Sequence, residues 1–264
     1  MMARLRFYWK VKVMLNSARS IIVICLSLLL SAAAAYPQAS KNMRFVILPH
    51  FRLNYDKNVQ EKDVQLVSKE LQRSFDYFQS KFSFAPSDKI NVYLYSSKER
   101  PRGTLLYSIL DDSFFNDGKV VILATALHDE KHMLNLFIDR VVARAFLNTV
   151  LTCPAWMAET YGLAVGYDFA RFGNPTRGHL TSFSDLGEDL SRADDTKEIR
   201  AVFAGMAATA KYFIDQYGET KLDAVVKSLH AGHTIEEAFE NVFGGKFDDL
   251  ERSWAEYMHS LLKG

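Results

Sequence analysis

The sequence predicts an α+β domain: a small N-terminal mixed or antiparallel sheet with one long helix, then a central buried helix and a C-terminal helical subdomain. Three observations carry this prediction. Two short β-prone runs, Met43–Leu48 and Ile90–Tyr95, flank a stretch whose apolar residues recur at helical spacing. The stretch Phe137–Ala170 is an apolar helical run that breaks at Cys153–Pro154 and restarts at Trp156, so two helices meet at a tight corner. Beyond residue 197 the pattern is helical to the end, with glycines where helices should stop.

The first 35 residues read as a leader, not as fold. Arg4, Arg6, Lys10, Lys12 and Arg19 precede the apolar run Ile21–Ala35, which ends in small residues. A basic start, a short apolar core and an Ala-x-Ala exit make a secretory signal, with cleavage expected near Ala35 and an uncleaved membrane tether as the alternative. Met14 offers a second start beside Met1. Export would place the protein in the periplasm or outside the cell. The leader holds five of the 32 basic residues and none of the 31 acids, which leaves 27 basic against 31 acidic, a net charge of −4. Such a chain has no basic excess for nucleic acid. Of the two cysteines, Cys25 leaves with the leader, and Cys153 alone forms no intrachain disulfide. Residues 36–264 are expected to form one domain, with a sheet-and-helix part over 42–126, paired helices over 128–170 and a helical part over 197–264.

Met43–Leu48 is closed by Pro49. Over 62–82, Val64, Val67, Leu71, Phe75, Phe78 and Phe82 fall at steps of three and four, an amphipathic helix whose aromatic stripe is core. Ile90–Tyr95 alternates as a half-buried strand. Thr104–Ile109 and Lys119–Ala124 read as two more strands, with Asn116–Asp117–Gly118 as a turn before the second. Met133–Leu151 is apolar nearly all round and should be buried. It carries Asp139, Arg140 and Arg144, and buried arginines need acid partners. Glu159 on the following helix is the candidate partner. Arg171–Thr196 reads as a connector rich in Gly, Pro and charge. Helices then follow over Ile199–Tyr217, Lys221–Leu229, Ile235–Phe243 (opened by the Thr234-x-x-Glu237 capping box) and Phe247–Leu262.

Pro154-x-Trp156-x-x-Glu159 after a buried helix resembles the active-site layout of the peptidase MA-like, gluzincin-type zinc metallopeptidases. The order Tyr217–Gly218, Leu229-x-x-Gly232, Ala238–Phe239 to Phe243–Gly244, then Leu250–Glu251-x-x-Trp254 resembles that family's C-terminal half, as does Leu180–Leu186 after the site. The resemblance spans the mature chain. It implies a gluzincin fold in which the sheet's edge strand binds peptide. In that family two histidines of His-Glu-x-x-His and a third ligand, here Glu159, hold zinc, while the Glu between the histidines activates water. The family motif maps to Asp139–Ala143, where this chain has no histidine. Thr160 stands where the family has Gly, and Phe203 where it often has Tyr. The resemblance thus makes Glu159 the site residue, lined by Asp139, Arg140, Ala143, Trp156 and Phe203, and implies no metal cofactor.

His128 and His132 offer the alternative, since residues four apart share a helical face and would complete a zinc site with Glu159. Against it, Asp129 replaces the family's Glu and the segment lies before the buried helix. The sequence therefore supports three functions: a non-catalytic exported relative that binds peptide or an envelope protein, an active zinc peptidase using His128, His132 and Glu159, or a structural envelope protein without a ligand. Membrane contact is expected only through an uncleaved leader.

Overall fold

Strands β1 (Met43–Ile47) and β2 (Phe51–Asp56) form an antiparallel hairpin, closed where the Leu48 N–H donates to the Phe51 carbonyl (2.9 Å). The computed structural model describes residues 43–96, 112–116, 118–128, 133–150, 152–167, 169, 172–173, 175, 182–193 and 195–262. All belong to one compact unit. The leader, the Thr104–Ile109 run, His132 and most of 171–181 lie outside the described residues.

Helix α1 (Glu61–Phe82) crosses from β2 to β3 (Ile90–Tyr95), which pairs parallel to β2. Strand β5 (Lys119–Leu123) pairs parallel to β3, and β4 (Ser113–Asn116) lies antiparallel on β5. Gly118, at φ 72°, sits in the β4–β5 turn, where a side chain would be strained. The result is a mixed five-stranded sheet in the order β1-β2-β3-β5-β4. Its inner face carries Phe51, Leu53, Val92, Leu94, Val120 and Ile122, all fully buried. The α+β class therefore holds, with two strands more than the sequence pattern marks among the described residues. Pro49 ends β1 as expected, but the chain turns at once into β2.

Helix α2 (Leu134–Leu147) is the central helix, shorter at its C-terminal end than the 133–151 run. It packs on α1 through Phe146, whose ring lies 5.0 Å from Phe75 and 5.8 Å from Phe78. Turns at 148–150 lead to Pro154, the N-cap of α3 (Ala155–Val165). Pro154 thus sits one place before the first helical turn, in an extended conformation (φ −64°, ψ 150°) that suits its ring equally well. Gly162 lets α3 approach α2 closely, since a Cβ there would meet the Arg140 carbonyl at 3.2 Å.

The connector is more ordered than its composition suggests. Ser182 and Asp185 form a capping box that opens α4 (Phe183–Arg192). Four helices complete the chain: α5 (Thr196–Tyr217), α6 (Glu219–His230), α7 (Ile235–Phe243, with the expected Thr234–Glu237 capping box) and α8 (Phe247–Leu261). Phe183 is their hub, with ring centroids 4.7 Å from Trp254 and 5.1 Å from Trp156. The Trp254 indole N–H donates to Thr209 Oγ1 at 2.9 Å, which satisfies it inside the core. Across to α1, the Lys81 ammonium donates to Glu219 at 2.7 Å and pairs with Asp223 at 3.0 Å. Burial pushes the Glu219 carboxyl up, but the hydrogen bond and charge of Lys81 and the hydrogen bond from Tyr167 together outweigh it and hold the group below its ordinary value. Among the described residues, no helix is long and apolar enough to cross a membrane.

Candidate functional site

The corner between α2 and α3 places Glu159 against the central helix. Arg144 Nε donates to Glu159 Oε1 at 2.7 Å, and both side chains are mostly buried. The spacing of three to four residues along α2 puts Arg140 and Arg144 on one face, yet they take different partners. Arg140 turns to the sheet: its Nη2 donates to Asp112 Oδ1 at 2.6 Å, to the Ser113 carbonyl at 2.7 Å and to Ser113 Oγ at 3.1 Å. Ser113 Oγ donates in turn to the Phe137 carbonyl at 3.2 Å, so the start of β4 is fastened to α2. Arg144 lies under Phe115, its guanidinium carbon 4.9 Å from the ring centroid, a cation–π contact that fixes its plane.

These side chains line a narrow crevice between β4, α2, α3 and α5, whose free space of about 10 Å³ admits about one water molecule. Arg140, Arg144, Glu159 and Phe203 all face it, and Phe114 and Phe115 form its wall on the sheet side. Phe203 is buried and packs on Phe172 (5.4 Å between centroids). The other residues expected at the site do not line this cleft. Asp139 points to α1, where Arg73 Nη2 donates to its Oδ1 at 2.8 Å. Ala143 is fully buried in the core, and Trp156 packs into the aromatic cluster of the C-terminal helices. A helix turns by about 100° per residue, so Asp139 is turned that far from Arg140, and Ala143 that far from Arg144. Thr160 is fully buried and its hydroxyl has no hydrogen-bond partner among the described residues. Because an unsatisfied buried hydroxyl costs about 1–3 kcal/mol, Thr160→Val is expected to raise stability by about 1 kcal/mol, read as a higher urea midpoint at unchanged slope.

The donor set here does not fit zinc. The positions to which the resemblance maps the two histidines hold Asp139, paired with Arg73, and Ala143, buried in the core, and the Glu159 carboxylate is already bonded to the Arg144 guanidinium. A catalytic zinc needs three protein ligands converging on one point. Of the alternative pair, only His128 is among the described residues. His128 ends a 3₁₀ turn (Ala124–His128), and α2 begins only at Leu134 after an extended Met133. The His128 ring is instead hydrogen-bonded to Asp63 Oδ1 near the start of α1 (Nε2 to Oδ1 2.8 Å), outside the cleft of Glu159. Among the described residues, no three His, Cys, Asp or Glu side chains are grouped to hold a metal. Cys153, at the corner, is half-buried, and burial pushes its thiol up to about 12 against the opposing effect of Arg144. That is the wrong direction for a nucleophile.

Asp112 is the site residue that sequence reasoning missed. It precedes a four-residue strand and sits in no periodic pattern, so only the demand of Arg140 for an acid signalled its existence. No protein-family model matches this chain. No curated protein matches it either.

Proposed function

We propose that this protein is an exported, non-catalytic relative of the gluzincin metallopeptidases that binds peptide or an envelope protein and does not hydrolyse it. One observation carries the reading: the Arg144–Glu159 ion pair, in the position where the family resemblance puts the third zinc ligand. A guanidinium fixed at that carboxylate supplies the positive charge a metal would supply, and it repels a second cation. The element order supports the same descent, with a small mixed sheet, a buried helix, a Pro-capped second helix and a helical C-terminal half.

Binding without hydrolysis suits the remaining features. Strand β4 lies at the end of the sheet among the described residues, and its Phe114 and Phe115 wall the cleft. An extended peptide would add to an edge strand of this kind through main-chain hydrogen bonds. The basic leader supports export. Elemental analysis of the purified protein, with a metal-dependent peptidase assay on a mixed peptide substrate, tests the reading. It expects no stoichiometric zinc and no hydrolysis sensitive to chelators. Stoichiometric zinc with chelator-sensitive cleavage would overturn it.

A further inference from the structure

Strand β1 ends the sheet on the side away from β4. The Leu48 N–H bonds to the Phe51 carbonyl, so in the antiparallel ladder Arg44, Val46 and Leu48 turn their main-chain groups to β2. Met43, Phe45 and Ile47 therefore turn theirs outward, and those groups meet no hydrogen-bond partner among the described residues. Edge strands are commonly protected by Pro, a bulge or several charges. Over its five residues β1 has no Pro and no bulge, and its one charge is Arg44. Phe45 and Ile47 lie instead on the face away from α1, 57% and 54% exposed, with the Arg52 guanidinium carbon 4.8 Å from the Phe45 ring centroid. On the other face, Arg44 and Val46 border a groove of about 470 Å³ between the hairpin and α1, whose helix side carries Glu61 and Gln65. Neither Arg44 nor Glu61 makes an ion pair among the described residues.

Going beyond the proposed function, we infer that β1 pairs with β1 of a second copy of this chain, antiparallel about a two-fold axis at Phe45, so that one sheet runs through a dimer. The strand is complementary to itself in three respects. First, this pairing sets Phe45 against Phe45 and Met43 against Ile47 of the second copy, so outward N–H and C=O groups meet along the whole strand. Second, the same residues bring apolar side chains together on the exposed face. Third, Arg44 of the second copy falls opposite Val46, on the groove that Glu61 lines, and brings an unpaired cation to an unpaired acid. Charge and chain chemistry also fix the register. A pairing centred on Arg44 would set two guanidiniums directly opposite each other. One centred on Val46 would run Met43 against Pro49, which has no N–H to give.

Sedimentation equilibrium of the purified protein tests this, with two associated chains expected at about 100 µM. Phe45→Lys sets like charges opposite each other at the axis and should weaken the dimer at least about tenfold, as should Phe45→Glu. Phe45 is largely exposed in a single chain, so both variants should keep the far-ultraviolet dichroism of the parent. Mixed in equal amounts, the two variants should associate at least about tenfold more tightly than either does alone, because Lys then faces Glu across the axis. A parent protein that sediments as one chain would overturn the second copy as the occupant of this edge. A dimer that survives both variants would place the interface elsewhere and overturn the inference equally. A mixture that associates no better than its components would overturn the two-fold pairing at Phe45.

Discussion

Arg140→Met is expected to lower the stability of the fold by about 3–5 kcal/mol, because it removes one partner of a buried ion pair and leaves the other charge in place. The Arg140 side chain is 7% exposed and that of Asp112 2%, so water cannot take over the lost contacts. The same change strips the Ser113 carbonyl and hydroxyl of their guanidinium donor. Since these bonds fasten β4 to α2, the edge of the sheet should loosen before the rest. Urea unfolding followed by far-ultraviolet dichroism reads the total, and amide hydrogen exchange should show the extra opening concentrated in 112–116. Arg140→Lys keeps the charge but not the fork and should fall between the two. A loss under about 1 kcal/mol for Arg140→Met would show that the pair contributes little beyond filling space.

Glu159→Ala is expected to cost about 3 kcal/mol, since it leaves the Arg144 guanidinium with no acceptor in a cleft walled by aromatic rings. For a chain of this size that corresponds to a fall in melting temperature of about 6–12 °C. Glu159→Gln should cost about half as much, because its amide oxygen still accepts from Arg144 Nε but carries no charge. The double variant Arg144→Met, Glu159→Leu separates pairing from packing. If the pair is valued mainly for what breaking it costs, the double variant should be more stable than either single one. A Glu159→Ala protein that melts like its parent would place the carboxylate in solvent and remove the basis of the account.

Much of this architecture was legible in local patterns. The apolar spacing of α1 marks its span to within one residue, and the alternation of β3 marks Ile90–Tyr95, because each depends on a period that neighbours set among themselves. The Thr234–Glu237 capping box opened its helix where expected for the same reason. The equivalent box at Ser182–Asp185 was overlooked inside a stretch whose composition reads as loop, and with it α4. Strand β2 alternates well enough to be found, but Pro49 masked it by suggesting an end and not a turn. At the site, buried arginines announced a need for acids. Which arginine meets Glu159 depends on the angle of the α2–α3 corner, and no spacing along one helix encodes that angle. Arg140 went to Asp112 and Arg144 to Glu159 because the sheet edge lies beside one and α3 beside the other.

Zinc titration into chelator-treated protein, with melting temperature as the readout, tests the central claim most directly. A ligand that binds only the folded state must raise that temperature. If the Arg144–Glu159 pair stands in place of a metal, the melting temperature stays constant up to micromolar zinc. A rise of several degrees, abolished alike by His132→Ala and by Glu159→Ala, would contradict the account and make Glu159 a zinc ligand.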